Sequence, residues 1–392
     1  MSSVKIAGVG MVKFSKPGQS DPYRVMGANA IKLALKDAGL EYSQVQQAFA
    51  SYIYGDSCSG QHVLYDVGMS GIPVINVNNN CASGSTALFL ARQAVQSGQV
   101  DCVLAVGFEE MQRGALGSNW EDRESPFDPM LKKLDEISSA PEAPLALRTF
   151  GAAGTAYIEK YGANPGIFAR VSVKSRNHAM NNPFAVFNTE LSVQDVLEAQ
   201  QIYPPYLTRL MACPPTCGAA AVIVCSDEFA RNNNLKPGVE IVAQSMATDL
   251  ADSWNDPIGL VGREMTRKAS QEVYEASGIS PEDVQVVELH DCFTPNEVIT
   301  YEGLGLCGEG EAEKFIMDGN NTYGGKFVVN PSGGLMSKGH PIGATGLAQC
   351  TELVWHLRGQ AGARQVEGAK VALQHNLGLG GAAVVTMYRK VD

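Results

Sequence analysis

No stretch of this chain is apolar for the roughly 20 residues that a membrane-spanning helix needs, so an integral membrane protein is not expected. The opening "MSSVKIAGVGMVKF" lacks the charged-then-apolar layout of a secretory leader. Positive charge is in deficit: the net charge is −11, which speaks against broad nucleic-acid binding and leaves room only for a local basic pocket. A disulfide framework is also lacking. Nine cysteines, an odd number, are scattered through a long chain, as in proteins of reducing compartments with free thiols.

What is present is length, glycine and an internal repeat. The 392 residues exceed one ordinary core and suit roughly two or three packed units. "DAGLEYSQVQQAFASYIYG" (37–55) parallels "ASGISPEDVQVVELHDCFT" (276–294), with Gly39 on Gly278 and Val45 on Val284. "CASGSTALFLARQAV" (81–95) parallels "HPIGATGLAQCTELV" (340–354), which sets Cys81 on His340, Gly84 on Gly343 and Thr86 on Thr345. "CGAAAVIVCSD" (217–227) parallels "GGAAVVTMYRK" (380–390). Matching pieces in matching order predict two copies of one unit.

Each copy alternates short β-rich runs with helices rich in Ala, Leu and Gln, which predicts largely parallel strands with helices on both faces. Helices over 82–97 and 341–358 are apolar on most sides and are expected between two sheets. The copies differ between their last two strands. "HNLGLGG" (375–381) joins them tightly in the second copy, whereas the first runs from Phe108 to Thr216. That insertion is too long for a plain loop. It carries helical patterns such as "SVQDVLEAQQIY" (192–203) and is expected to be a lid, an oligomerisation arm or both. The expected division is therefore 1–107 completed by a strand at 217–228, an insertion at 108–216, and a second half at 229–392.

In "VINVNNNCASGSTA" (74–87) a strand pattern stops at three asparagines, and a thiol stands where a helix opens. A helix start carries free N–H groups and partial positive charge, which favours a nucleophilic thiolate and an oxyanion beside it. Alone, Cys81 reads equally as a buried inert cysteine. The repeat brings in His340, within "NPSGGLMSKGHPIGATG" (330–346), and a Cys–His pair across a shared cleft is the pattern of nucleophilic catalysis. His290 and Cys292 in "ELHDCF" (288–293) end a strand and, at alternate positions, share one face. A metal pair there lacks further ligands at short spacing. "GLGLCG" (303–308) follows a helical pattern and not a strand, so it predicts no dinucleotide site.

Together, "NVNNNCASGSTALF", "ELHDCF", "NPSGGLMSKGHPIGATGLAQ" and "ALQHNLGLGG" resemble the thiolase superfamily, and HDCF resembles its SCP2-thiolase group. The resemblance spans nearly the whole chain. It implies a five-layered αβαβα fold from two pseudo-symmetric halves with a loop domain, a homodimer, and coenzyme A as co-substrate with no bound cofactor or metal. It implies that Cys81 is the acylated nucleophile and that His340 activates it. His290 would be a second donor to a thioester oxygen, and Cys292 the acid/base. The second cysteine of most thiolases lies in a Cys-x-Gly loop, where this chain has His375. Backbone amides of Cys81 and Gly380, or Gly378, would form the oxyanion hole of the acyl-enzyme. Met111, Arg263, Ser337 and His375 are weaker substrate-binding candidates; Arg263, Arg267 and Lys268 could meet coenzyme A phosphates but read more readily as solvated charge. Thr216-Cys217-Gly218 departs from the group's Ser-Asp-Gly. The activity expected is 3-ketoacyl-CoA thiolysis. A decarboxylating synthase of the same fold is the runner-up, an aldolase is opposed by Cys81, and a non-catalytic acyl-CoA-binding protein is the alternative from another class. The chain ends at "YRKVD" without Ser-Lys-Leu, so a cytoplasmic bacterial-type enzyme is expected, a peroxisomal one being the other possibility.

Overall fold

The computed structural model describes residues 3–391 apart from 115, 116, 118, 119 and 121, which fall in the inserted segment. In chain order the strands are β1 (Val4–Met11), β2 (Gln47–Ser51), β3 (Val74–Val77), β4 (Cys102–Glu109), a small hairpin β5 (Gln201–Tyr203) and β6 (Leu207–Thr208), β7 (Gly218–Ser226), β8 (Val239–Ala247), β9 (Val286–Glu288), β10 (Val328–Val329), β11 (Val371–Gly378) and β12 (Ala382–Lys390). Outside the hairpin they form one mixed sheet in the order β10-β9-β11-β12-β8-β1-β7-β4-β2-β3. From the middle outwards, β1-β7-β4-β2-β3 and β8-β12-β11-β9-β10 are the same five-strand pattern written twice, joined where Val4 and Lys5 pair with Ile241 and Glu240.

The helices Ser83–Gln96 and Thr345–Arg358 lie between the halves. One continuous apolar cluster holds Leu88 and Leu353 of these helices together with Val103 and Val222 of the first half and Val286 and Ala372 of the second. The helix Tyr23–Ala38 covers the outer face of the first half and Arg263–Ser277 that of the second. This is the five-layered αβαβα arrangement. The repeated turns are alike in detail. Gly39 and Gly278 both end helices in the left-handed region (φ 69° and 66°), and each is followed by a one-turn 3-10 helix with a capping box.

The two central helices start at Ser83 and Thr345, and each has 14 residues. Aligned by those starts, Gly84 pairs with Gly346. A Cβ on Gly84 would stand 2.9 Å from Gly346 N, and one on Gly346 would collide with Ser85 N. The alignment of Gly84 with Gly343 is thus displaced by three residues. His340 is not the counterpart of Cys81: it lies five residues before its helix, ahead of a turn in which Pro341 O accepts the N–H groups of Ala344 and Thr345. The extra turn, and not strict symmetry, carries His340 into the site.

Between β4 and β7 the chain forms the helices Asp128–Ile137, Leu145–Tyr161, Gly166–Ala179 and Val193–Glu198 and the hairpin. The pattern at 192–203 therefore opens as a helix and closes as a short strand. Although rooted in the first half, this segment packs on Thr294–Gly303 and other helices of the second. Its last stretch is stitched to both sides of the site: Ala212 bridges Phe293, Pro215 bridges His340, and Cys213 N–H donates to Cys292 O at 2.9 Å.

Candidate active site

Cys81 is placed by the three asparagines before it. Asn78 Oδ1 accepts the N–H of Asn80 (3.1 Å), and Asn79 Nδ2 donates to Thr86 Oγ1 (3.1 Å) on the helix that follows. Asn80 takes φ 50°, a left-handed conformation that asparagine tolerates, and its Nδ2 donates to Leu379 O (3.0 Å). The turn is thereby tied to the β11–β12 connection, and the thiol faces a cavity of about 210 Å³.

His290, Cys292 and His340 line the same cavity. His290 and Cys292 point into it as alternate residues beyond β9. Asp291 between them turns away and accepts the N–H of Leu335 at 2.7 Å. The rings of His290 and His340 meet edge to face, 5.1 Å between centroids. His340 Nδ1 bonds Thr345 Oγ1 (2.7 Å), whose own proton goes to Pro341 O (3.0 Å), so Nδ1 is the protonated nitrogen. Nε2 is left as a buried lone pair without a partner.

Burial sets the resting charges. It pushes the Cys81 thiol up to about 12; Glu109 adds to this, while the N–H groups of Cys81 and Leu379 act the other way. Burial also lowers His340 to about 3, and lowers His290 far below its usual range with help from His340 and His375. Burial, with the Cys213 and Cys81 thiols beside it, raises Cys292 well up. The free site therefore holds thiols and neutral imidazoles. The thiolate expected from the helix start is outweighed by desolvation.

The second backbone amide facing the Cys81 sulfur belongs to Leu379. It stands between the two expected glycines, Gly378 and Gly380. Gly378 is pressed against Asn79 O and Ala82 N, and Gly380 (φ 97°) lies against Phe127. Of the weaker candidates only Met111 lines the cavity. Arg263 is paired with Asp256 and Glu264. Ser337 is buried and accepts from Arg176 Nε (3.3 Å). His375 points to the other face of β11, toward Thr266 Oγ1 (3.0 Å), because side chains alternate along a strand.

Sequence reasoning missed three contributors. Cys213 is a third thiol on the cavity wall. Glu109 accepts N–H groups of Ile53, Tyr54 and Gly343. Asn376 Nδ2 meets His290 Nδ1 at 3.1 Å. The tie between "GFEE" and "GHPIG" crosses halves and left no local spacing to find. The remaining wall is apolar, with Leu145, Leu147, Phe150 and Ile202 from the insertion and Phe293 and Ile342 from the second half.

One ligand atom each from Cys81, His290 and His340 lie within 4.8 Å of one another, a Cys-His-His set of the type zinc accepts. A metal there needs lone pairs from both imidazoles. Asn376 Nδ2 stands at His290 Nδ1, so the tautomer of that ring decides whether its other nitrogen is a donor or a ligand.

Residues 4–201 match the family model "Thiolase, N-terminal domain", and residues 254–388 match "Thiolase C-terminal domain-like". The chain is 51% identical to sterol carrier protein 2 of Bos taurus over 98% of its own length and 72% of that relative's. It is 33% identical to an acetyl-CoA acetyltransferase of Methanothermobacter thermautotrophicus over 100% of both chains. Among solved structures, the Ltp2-ChsH2(DUF35) aldolase superposes with TM-score 0.83 at 25% identity, over 99% of this chain and 98% of that one. The chain belongs to the thiolase family.

Proposed function

We propose that this thiolase is a 3-oxoacyl-CoA thiolase working through an acyl-Cys81 intermediate. The observation that carries the reading is the convergence of Cys81, His340, His290 and Cys292 on one apolar cavity. In this reading His340 Nε2 takes the Cys81 proton as sulfur attacks the 3-keto carbon. The C2–C3 bond breaks and leaves the enolate of acetyl-CoA or propionyl-CoA. The Nε2–H of His290 and the newly protonated His340 donate to the enolate oxygen, and Cys292 gives a proton to the departing carbon. Coenzyme A then enters, the Cys292 thiolate takes its thiol proton, its sulfur attacks the acyl-Cys81 carbonyl, the bond from that carbon to the Cys81 sulfur breaks, and Cys81 takes its proton back from His340. The N–H groups of Cys81 and Leu379 hold that oxyanion. Exchange of one thioester for another is nearly balanced, so the cycle also runs toward condensation, which a serine ester would hinder.

The apolar wall supports medium, long or 2-methyl-branched acyl chains, and the inserted segment is their lid. A homodimer fits the unpaired edge of β3, where Ile75 is exposed. Among the described residues no helix is long and apolar enough to cross a membrane.

The test is thiolysis of 3-oxoacyl-CoA of several chain lengths, followed by loss of substrate absorbance with and without coenzyme A. Mass spectrometry of quenched enzyme locates the acyl group. Coenzyme A-dependent loss, acyl label on Cys81 and abolition of both by Cys81→Ala are expected; turnover retained by that variant sinks the proposal. The likeness to an aldolase favours one second reading, cleavage of a 3-hydroxyacyl-CoA without coenzyme A, and the same assay run on that substrate decides between them.

A further inference from the structure

We propose that Asn376 is a positioning residue that fixes His290 as the tautomer with its proton on Nε2, held there by a buried relay from Gly346 and Tyr388. The proposal rests on the thiolase reading for its consequence, a donor aimed at the thioester oxygen, but not for the tautomer itself.

The relay has one end that can be read only one way. Gln374 Nε2 lies 2.6 Å from the carbonyl oxygen of Gly346, which can only accept, so this end of the amide is the donor. Its other end, Oε1, accepts from the Tyr388 hydroxyl. Gln374 Nε2 also donates to Ser85 Oγ (2.9 Å), so the Ser85 proton is sent onward to Asn376 Oδ1 (2.9 Å). With Oδ1 used as acceptor, Asn376 presents Nδ2 to His290 Nδ1 at 3.1 Å. A ring nitrogen that accepts carries no proton, and in a neutral imidazole the proton then sits on the other nitrogen. Ser85, Gln374, Asn376 and Tyr388 are all fully buried, so water does not compete for any of these bonds.

The relay also crosses the molecule. Ser85 comes from the central helix of the first half, and Gln374 and Asn376 from β11 of the second. Among the described residues, no other group around His290 supplies a charge that would impose the other tautomer. His340 meets it edge to face, His375 lies on the far side of β11, and Cys81 and Cys292 share its cavity as thiols. On the helix behind, Asn296 Nδ2 donates to the His290 carbonyl (2.5 Å). Asp291 is turned to the N–H groups of Leu335 and Met336, and Glu297 is paired with Lys174.

The decisive variant is Asn376→Asp, the same shape with acceptors at both ends. His290 Nδ1 must then carry a proton, and at neutral pH Nε2 turns from donor to acceptor. For carbon–carbon cleavage at pH 8, kcat should fall on the order of 10²–10³-fold, the size of losing one oxyanion donor, with KM changed less than about threefold. Toward acid pH the imidazolium regains an Nε2–H, so the deficit should shrink as pH falls, while wild type shows no such gain. Independently, nitrogen-15 NMR of histidine-labelled wild-type enzyme, with His290 assigned by its absence in His290→Asn, should report a protonated Nε2 and a bare Nδ1. Ser85→Ala, which frees Asn376 to turn over, should give a mixture of both tautomers. A wild-type His290 protonated on Nδ1, or an Asn376→Asp enzyme with unchanged kcat, overturns the proposal. Absence of thiolysis in wild type overturns the assigned reaction instead and leaves the NMR result to decide the tautomer. If Asn376→Asp does not fold, the wild-type and Ser85→Ala spectra still decide.

Discussion

Glu109, at the end of β4 in the first half, accepts the backbone N–H of Gly343, in the His340 turn of the second half, at 2.9 Å. The same carboxyl group accepts the N–H groups of Ile53 (3.1 Å) and Tyr54 (2.9 Å). One buried acid thus clips the turn that delivers His340 to the half that delivers Cys81. Burial holds it at about 7, despite these three N–H groups. Glu109→Gln replaces one acceptor oxygen by a donor and leaves at least one buried N–H without a partner. It should cost about 2 kcal/mol in urea unfolding. Because Glu109 raises the Cys81 thiol, alkylation of Cys81 at fixed pH should become faster. An unfolding midpoint equal to wild type would show that the clip carries no load.

Cys292→Ala removes the proposed proton carrier but leaves Cys81, His340 and both amides at the sulfur in place. Acyl transfer onto Cys81 from a simple acyl-CoA should persist. Carbon–carbon cleavage should fall on the order of 10²–10⁴-fold, the usual contribution of a positioned acid/base. Partial-reaction assays with labelled acyl-CoA separate the two steps. Full cleavage activity would pass the acid/base role to another group, with Cys213 the third thiol on the wall.

Phe150 and Phe293 stack at 5.2 Å and 21° on the cavity wall. Phe150→Ala lengthens the space beyond Cys81. The ratio of kcat/KM for long over short 3-oxoacyl chains should rise on the order of tenfold, since each methylene placed in an apolar pocket is worth about 1 kcal/mol or more. The expected stability cost is about 3 kcal/mol. An unchanged chain-length profile would place the acyl group elsewhere.

Stability should fall with acid. His178, His340 and His375 are lowered to about 3 and His356 to about 4, with His290 also well down, burial being the main cause in each. Below about pH 6.5 the unfolded chain takes up protons at these five rings while the folded chain does not, so each lost pH unit favours unfolding. Glu109 and Asp291, held at about 7, and the raised Asp249, Glu288 and Glu302 act in the opposite sense, because the folded chain binds their protons first. The two sets are equal in number, but once the carboxyls of the unfolded chain also take up protons, below about pH 4.5, that opposition fades while the rings still withhold theirs, so the melting temperature should drop between about pH 4.5 and pH 3. A melting temperature flat or rising over that range would mean that the rings are less buried than described.

The sequence by itself determined the repeat, the strand–helix alternation and the identity of the four cavity residues. Those features are local or periodic: a strand pattern stopped by three asparagines, a glycine at each helix end, a His and a Cys two positions apart. Register was less legible. The glycine-rich stretch around Gly343 offers several registers, so a match of His340 with Cys81 reads well in sequence although the starts of the two helices do not keep it. Only the tertiary structure decided the ionisation of Cys81, because helix-start stabilisation is local whereas desolvation depends on everything packed around the thiol. It likewise decided which face of β11 looks into the site. His375 was the conspicuous side chain, yet Asn376, one residue on, points toward the central helices and reaches His290. Contacts between the halves, such as Glu109 to Gly343 or Ser85 to Asn376, join residues more than 200 positions apart, and no spacing along a single chain encodes which of many buried polar groups will meet.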